Sequence, residues 1–116
     1  MSRVLVCGGR TFSRKADLWL LLDERHGRDP ISCLISGMAT GADTAAAEWA
    51  TANGVPLAAY PAKWELFGKA AGSRRNTKML REGRPDIVLA CPGGNGTADM
   101  VRKAERAKVP VVQVLA

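Results

Sequence analysis

The chain has 116 residues, 47% of them hydrophobic and 24% charged, which allows one real core and not two. No apolar run approaches the roughly 20 residues of a membrane span, so spanning functions are set aside and no membrane partner is expected. The formal net charge is +6, and it is concentrated between residues 63 and 84. There seven basic residues (Lys63, Lys69, Arg74, Arg75, Lys78, Arg81, Arg84) face only Glu65 and Glu82, a local excess of +5 that suits phosphate-bearing ligands or nucleic acid.

Arg3 to Cys7 predicts a short buried strand, too short for a signal-peptide core, and it ends in the turn Gly8-Gly9-Arg10. Ser13 is placed to cap the next helix, where Leu18, Leu21 and Leu22 recur at helical spacing and Trp19 covers the edge of their stripe. Asp29-Pro30 breaks that helix. Cys33-Leu34-Ile35 is the second strand, opening into Ser36-Gly37-Met38-Ala39-Thr40-Gly41-Ala42-Asp43. The helix that follows presents Ala42, Ala45, Ala46, Trp49 and Ala50 on one side, a small face that can lie close on a sheet. Asn53-Gly54 ends it, and Leu57 to Tyr60 reads as a third strand stopped by Pro61.

Ala62 to Gly72 lacks periodicity and reads as a loop closing over something, with Trp64 and Phe67 among small residues. Ser73 would then cap a basic helix carrying Arg74, Arg75, Asn76, Met79 and Leu80. Asp86 to Cys91 is the fourth strand and the most continuous apolar run, as expected at the centre of a parallel sheet. After Pro92-Gly93-Gly94-Asn95-Gly96-Thr97, a last helix starts near Thr97 and buries Met100, Val101, Ala104 and Ala107. Val111 to Leu115 closes the chain as a fifth strand. This alternation predicts one α/β domain over 1–116, a mainly parallel five-stranded sheet with helices on both faces.

In such a fold the loops leaving the carboxyl ends of the strands gather on one edge, where ligands bind. Three of them are glycine-rich, so backbone N–H groups can approach an anion at a helix start. The candidate binding residues are Gly8, Gly9 and Arg10 after the first strand, and Ser36, Gly37, Thr40, Gly41 and Asp43 after the second. Gly93, Gly94, Asn95, Gly96 and Thr97 follow the fourth, and Arg75 and Asn76 come from the basic helix. Arg10 and Arg75 are the cations best placed to meet a phosphate, and Asp43 can accept from a ribose or base. The loops lack the Lys-Ser/Thr ending of a P-loop and the spacing of a dinucleotide fingerprint. A serine–histidine mechanism would rest on His26 alone, at the far end of the first helix. Cys7, Cys33 and Cys91 lie in or beside apolar runs without a Cys-x-x-Cys pair, which points to buried thiols in a reducing cytosol and to no metal.

Together Gly8-Gly9-Arg10, Ser36 to Asp43, Ala71-Gly72-Ser73-Arg74-Arg75-Asn76 and Pro92 to Thr97 resemble the YspA/cpYpsA-related branch of the SLOG superfamily, over nearly the whole chain. The resemblance implies a Rossmann-like three-layer sandwich that binds a nucleotide or nucleotide-derived ligand as a sensor or processing module. A homodimer is expected of related folds, and no cofactor. The related LOG-type phosphoribohydrolases carry Pro-Gly-Gly-x-Gly-Thr-x-x-Glu, whose glutamate takes part in catalysis; Met100 occupies that position here. A thioether cannot do a carboxylate's work, so hydrolysis of nucleoside monophosphates would have to use Asp99 or Asp43. Asp99 is also placed for simple dipole stabilisation of its helix. Nucleic-acid binding is the third reading, drawn from the basic segment, although few aromatics beyond Trp64 and Phe67 accompany it for stacking.

Overall fold

The computed structural model describes residues 1–116. Five strands, β1 (Ser2–Cys7), β2 (Ile31–Ser36), β3 (Leu57–Ala59), β4 (Ile87–Ala90) and β5 (Val111–Gln113), form one sheet in the order β3-β2-β1-β4-β5. Every pairing is parallel. The helices are α1 (Lys15–Arg28), α2 (Ala42–Ala52), α3 (Trp64–Phe67), α4 (Ala71–Gly83) and α5 (Asn95–Arg106), with a 3-10 turn over Gly68–Ala70. The chain thus adopts the Rossmann-like α/β arrangement expected of it. No helix is long and apolar enough to cross a membrane.

The alternation of side chains along the strands builds two cores. Val4, Val6, Leu34 and Leu89 point to one face and meet Leu18 and Leu22 of α1 and the alanine face of α2. Leu5, Cys7, Ile35, Val88 and Ala90 point to the other and meet Met79 of α4 with Met100 and Ala104 of α5. A strand buried on both faces has no polar side to show, which is why β1 and β4 read as unbroken apolar runs. On α2 the small face brings the helix down on the sheet, and Trp49 fills the one large gap, fully buried. Its indole N–H donates to Asp23 Oδ1 of α1 at 2.8 Å, and the His26 ring meets it edge-on at 5.5 Å. Truncating such a residue to alanine costs roughly 3–5 kcal/mol. His26 is otherwise occupied in structure, its Nδ1 accepting from the Ile31 N–H at 2.9 Å.

Several boundaries differ from the sequence reading. Ser13 does not cap α1; the helix starts at Lys15 with no side-chain cap, and Arg14 instead pairs with Asp17 of the first turn at 2.9 Å. The segment 62–72 is largely helical rather than a loop, because α3 and the 3-10 turn lead straight into α4. Ser73 therefore lies inside α4, where its hydroxyl accepts from Lys103 Nζ at 2.7 Å. Helix α5 begins two residues before Thr97, and of its expected buried residues Met100 and Ala104 are buried while Ala107 is exposed. The third, fourth and fifth strands are each shorter than read, their ends passing into the loops of the site edge.

Candidate ligand-binding site

The strand order changes direction between β1 and β4, and the loops after these two strands part there to leave a crevice. Gly9 ties the crevice together. Its N–H donates to the Pro92 carbonyl at 2.9 Å, and its own carbonyl accepts from Phe12 at 3.2 Å and from Ala42 at 3.4 Å. One residue thereby joins the loops after β1 and β4 and the start of α2. Gly8 sits where a Cβ would lie 2.6 Å from the Ala42 Cβ and 2.7 Å from the Cys91 Cβ, so no larger residue fits. Gly41 has φ +89°, a conformation that side chains rarely adopt, and it packs against the Gly9 carbonyl.

The resulting cavity is about 560 Å³. Gly8, Gly9 and Arg10, Asp43, Arg75 and Asn76, and Gly94 to Thr97 all line it, so it brings together most of the residues read from the sequence. Ser36 lies beneath it, fully buried: its hydroxyl donates to the Asp43 carbonyl at 2.9 Å and accepts from the Met38 N–H at 3.1 Å. Gly37 underlies Arg75, and Gly93 packs against Thr97 Oγ1 and Gly9. Thr40 is exposed and does not line the cavity. Trp64, Lys69 and Met79 do, and no motif marks them; Ser73 of the Ala71–Asn76 motif does as well. The apolar Trp64 within a basic, glycine-spaced segment is the one signal that could have found this wall. The Arg10 guanidinium lies 5.3 Å from the centre of the Trp64 ring.

Two charged groups, Arg75 and Asp43, lie together at the floor. Arg75 donates from Nη1 to the Gly37 carbonyl at 2.6 Å and from Nε to Asn76 Oδ1 at 2.9 Å. Burial lowers its pKa, the Asp43 charge opposes that, and the charge of Arg10 adds to it. Asp43 is 5% exposed; Oδ2 accepts from the Ala39 N–H at 3.3 Å, while the buried Oδ1 has no hydrogen-bond partner. Burial pushes the Asp43 carboxyl up to about 6, and Arg75 and the Ala39 N–H pull against that shift. The Cys7 thiol beneath is pushed up to about 12, first by burial and then by Asp43, which leaves it protonated and poorly nucleophilic.

Asn76 links this floor to the opposite wall. It is 4% exposed, and its Nδ2 donates to the Gly96 carbonyl at 3.2 Å and to Asp99 Oδ2 at 3.0 Å. Lys103 Nζ also donates to Asp99 Oδ2, at 2.9 Å. Burial works against ionisation of Asp99, but these hydrogen bonds and the charges of Lys103 and Arg102 outweigh it and hold its pKa below the ordinary value. The residue one position on, Met100, is 1% exposed and packs into the core under α5, at the edge of the cavity lining. The first turn of α5, Asn95 to Thr97, has no side-chain cap and lines the cavity, as do Arg10 and Lys69.

The model of the family described as YspA, cpYpsA-related SLOG matches residues 2–67. A curated relative, the Gene 61 protein of Mycobacterium phage D29, is 38% identical over 121 residues, covering 97% of this chain and 95% of the relative. The chain belongs to the YspA, cpYpsA-related SLOG family. Among solved structures, DNA processing protein A (DprA) from Streptococcus pneumoniae superposes with a TM-score of 0.52 at 18% identity, over 95% of this chain and 58% of that one. The chain thus spans under two thirds of that protein's length, and the likeness is one of fold. The matched SLOG region holds the first two glycine loops, and the remaining walls of the cavity come from α4 and α5 beyond it.

Proposed function

We propose that the cavity binds a nucleotide or nucleotide-derived ligand. The observation that carries this reading is Asp43 Oδ1, a buried acceptor with no donor of its own at the floor of a cavity that is otherwise cationic at its mouth. An acceptor left in that state costs stability unless a bound molecule supplies an O–H or N–H. The uncapped first turn of α5, with Arg10 and Lys69 in the same lining, suits a phosphate at the opposite end of the same molecule. Arg10 and Arg75 weigh on each other as like charges, and an anion between them relieves that repulsion. A hydroxyl or amine at one end, a phosphate at the other and the Trp64 ring along the side together describe a nucleotide. The glycines set the approach distance and the family membership agrees with it.

The test is a thermal-shift screen of nucleoside mono-, di- and triphosphates and ADP-ribose derivatives, followed by native mass spectrometry of gently purified protein. A raised melting temperature that disappears in Arg75→Ala supports the reading; a flat response across the panel removes it.

A second reading follows from Asp99, which lines the cavity as a held carboxylate one residue before Met100. In hydrolysis of an N-glycosidic bond, water would add its oxygen to the anomeric carbon while the carbon–nitrogen bond breaks toward the base, which takes up a proton. Asp99 would stabilise the cationic sugar or accept the water's proton. Release of free base from nucleoside monophosphates, absent in Asp99→Asn, is the expected result; no release at high protein concentration leaves binding alone.

A further inference from the structure

On the side of α4 opposite Asn76 lies a second groove of about 540 Å³, bounded by the end of the edge strand β3, by α3 and by α4. Arg74, Lys78 and Arg81, spaced four and three residues apart, share this side of α4, and Lys63 faces them across the groove. None of the four makes an ion pair: the six in the protein lie elsewhere. Glu82 is the only acid in the lining. Like charges at such spacing repel, and no ion pair offsets it here. Two rings sit among them. Tyr60 lines the groove, and Phe67, 37% exposed, carries the Arg74 guanidinium 4.4 Å above its centre.

We infer that this groove binds the backbone of a single-stranded nucleic acid. Four cations without an ion pair, three along α4 and Lys63 beyond them, match a ligand whose charge is repeated along its length, and the half-buried Tyr60 and the partly exposed Phe67 beside them match one with flat apolar faces. The groove contains no buried unpartnered side-chain polar atom of the kind that Asp43 Oδ1 supplies. That separates it from the Asp43 cavity and predicts binding with little dependence on sequence. An acidic polypeptide would meet the charge but leave the rings without a partner. Arg75 lines both sites, but Arg74, Lys78 and Arg81 line only this one, so the inference holds whether or not the first cavity takes a nucleotide.

The experiment is fluorescence anisotropy of a labelled oligothymidylate titrated with the full chain at several salt concentrations. The expected result is a saturable rise whose log affinity falls against log salt with a slope of roughly −3, from four phosphate contacts. The triple variant Arg74→Glu, Lys78→Glu, Arg81→Glu should lose at least about 100-fold in affinity while keeping its circular dichroism. Phe67→Ala should lose about tenfold through stacking with the salt slope unchanged. No rise at low salt, an unchanged affinity in the triple variant, or displacement by polyglutamate of equal length as effective as by unlabelled oligothymidylate would each overturn the assignment. Thermal shift with nucleotides, run on the same triple variant, reports the first cavity separately.

Discussion

The Arg75 guanidinium donates to the Gly37 carbonyl at 2.6 Å, a bond that fastens α4 to the loop after β2 across 38 residues of chain. Arg75 is at once a clasp of the fold and the cation nearest Asp43. Replacing it with alanine removes a charged hydrogen bond and leaves Asp43 with less to favour its ionised form. We expect a loss of about 2 kcal/mol, seen as a melting temperature lower by roughly 5–10 °C. Arg75→Lys should recover little of it, because an ammonium cannot reach the Gly37 carbonyl and Asn76 Oδ1 in one plane.

Asp43 gives the protein a pH dependence of unusual sign for a carboxylate. Its folded pKa is raised from 3.8 to about 6, so between these values the folded state holds a proton that the unfolded state has released. Stability from this group is therefore greatest below about pH 4 and falls as pH rises through about 6, by roughly 3 kcal/mol in all. Asp43→Asn should flatten that part of the curve, measured by urea unfolding from pH 4 to 8. An identical pH profile in the variant would show that the carboxyl is not the source.

A donor from a bound ligand to Asp43 Oδ1 favours the ionised carboxylate, so binding should release a proton near pH 6. The nucleotide-induced thermal shift is then larger at pH 7.5 than at pH 5. Phosphate ionisation near the same pH adds its own change, so the decisive quantity is the difference between the native chain and Asp43→Asn.

Gly8→Ala should destabilise the protein by about 1–3 kcal/mol, since its new methyl would press on both Ala42 and Cys91 in a packed layer. Denaturant titration measures this directly. A neutral result would mean that β1 and α2 can part more easily than their contacts indicate.

The thiols should be silent in the folded state. Burial is the main cause that pushes Cys7 up to about 12 and Cys91 up to about 11, and all three cysteines are buried. A maleimide reagent at neutral pH is expected to modify none of them within minutes and all three in denaturant, counted by mass spectrometry.

The sheet and its helices were legible because period and burial coincide: the continuous run before Pro92 and the alanine face after Gly41 each admit few arrangements. The glycine loops were legible for a related reason, since Gly8 and Gly41 stand where contact and φ leave no alternative. The α3 segment was not. Four residues make too short a helix to show a period, and Trp64 reaches the cavity only because the turn after it delivers Gly72 of α4 beneath its ring. Asp99 was read as a substitute carboxylate or as simple dipole stabilisation of its helix; its partners are Asn76 and Lys103, 23 residues back and four ahead in the chain. The Lys103 pairing is local to α5, but the Asn76 bond depends on how α4 and α5 pack, which local sequence does not state.

The hydrogen bonds of Gly9 join three segments that stand more than 80 residues apart at their extremes. The pocket therefore has no partial form: it cannot exist on a folding intermediate that has docked β1 on β2 but not yet on β4. Such distant closure is slow to reach and comes as a unit. Occupation of the pocket would then stabilise the whole sheet rather than one loop, and slowed hydrogen exchange should spread from Gly9 along β1 into both neighbouring strands.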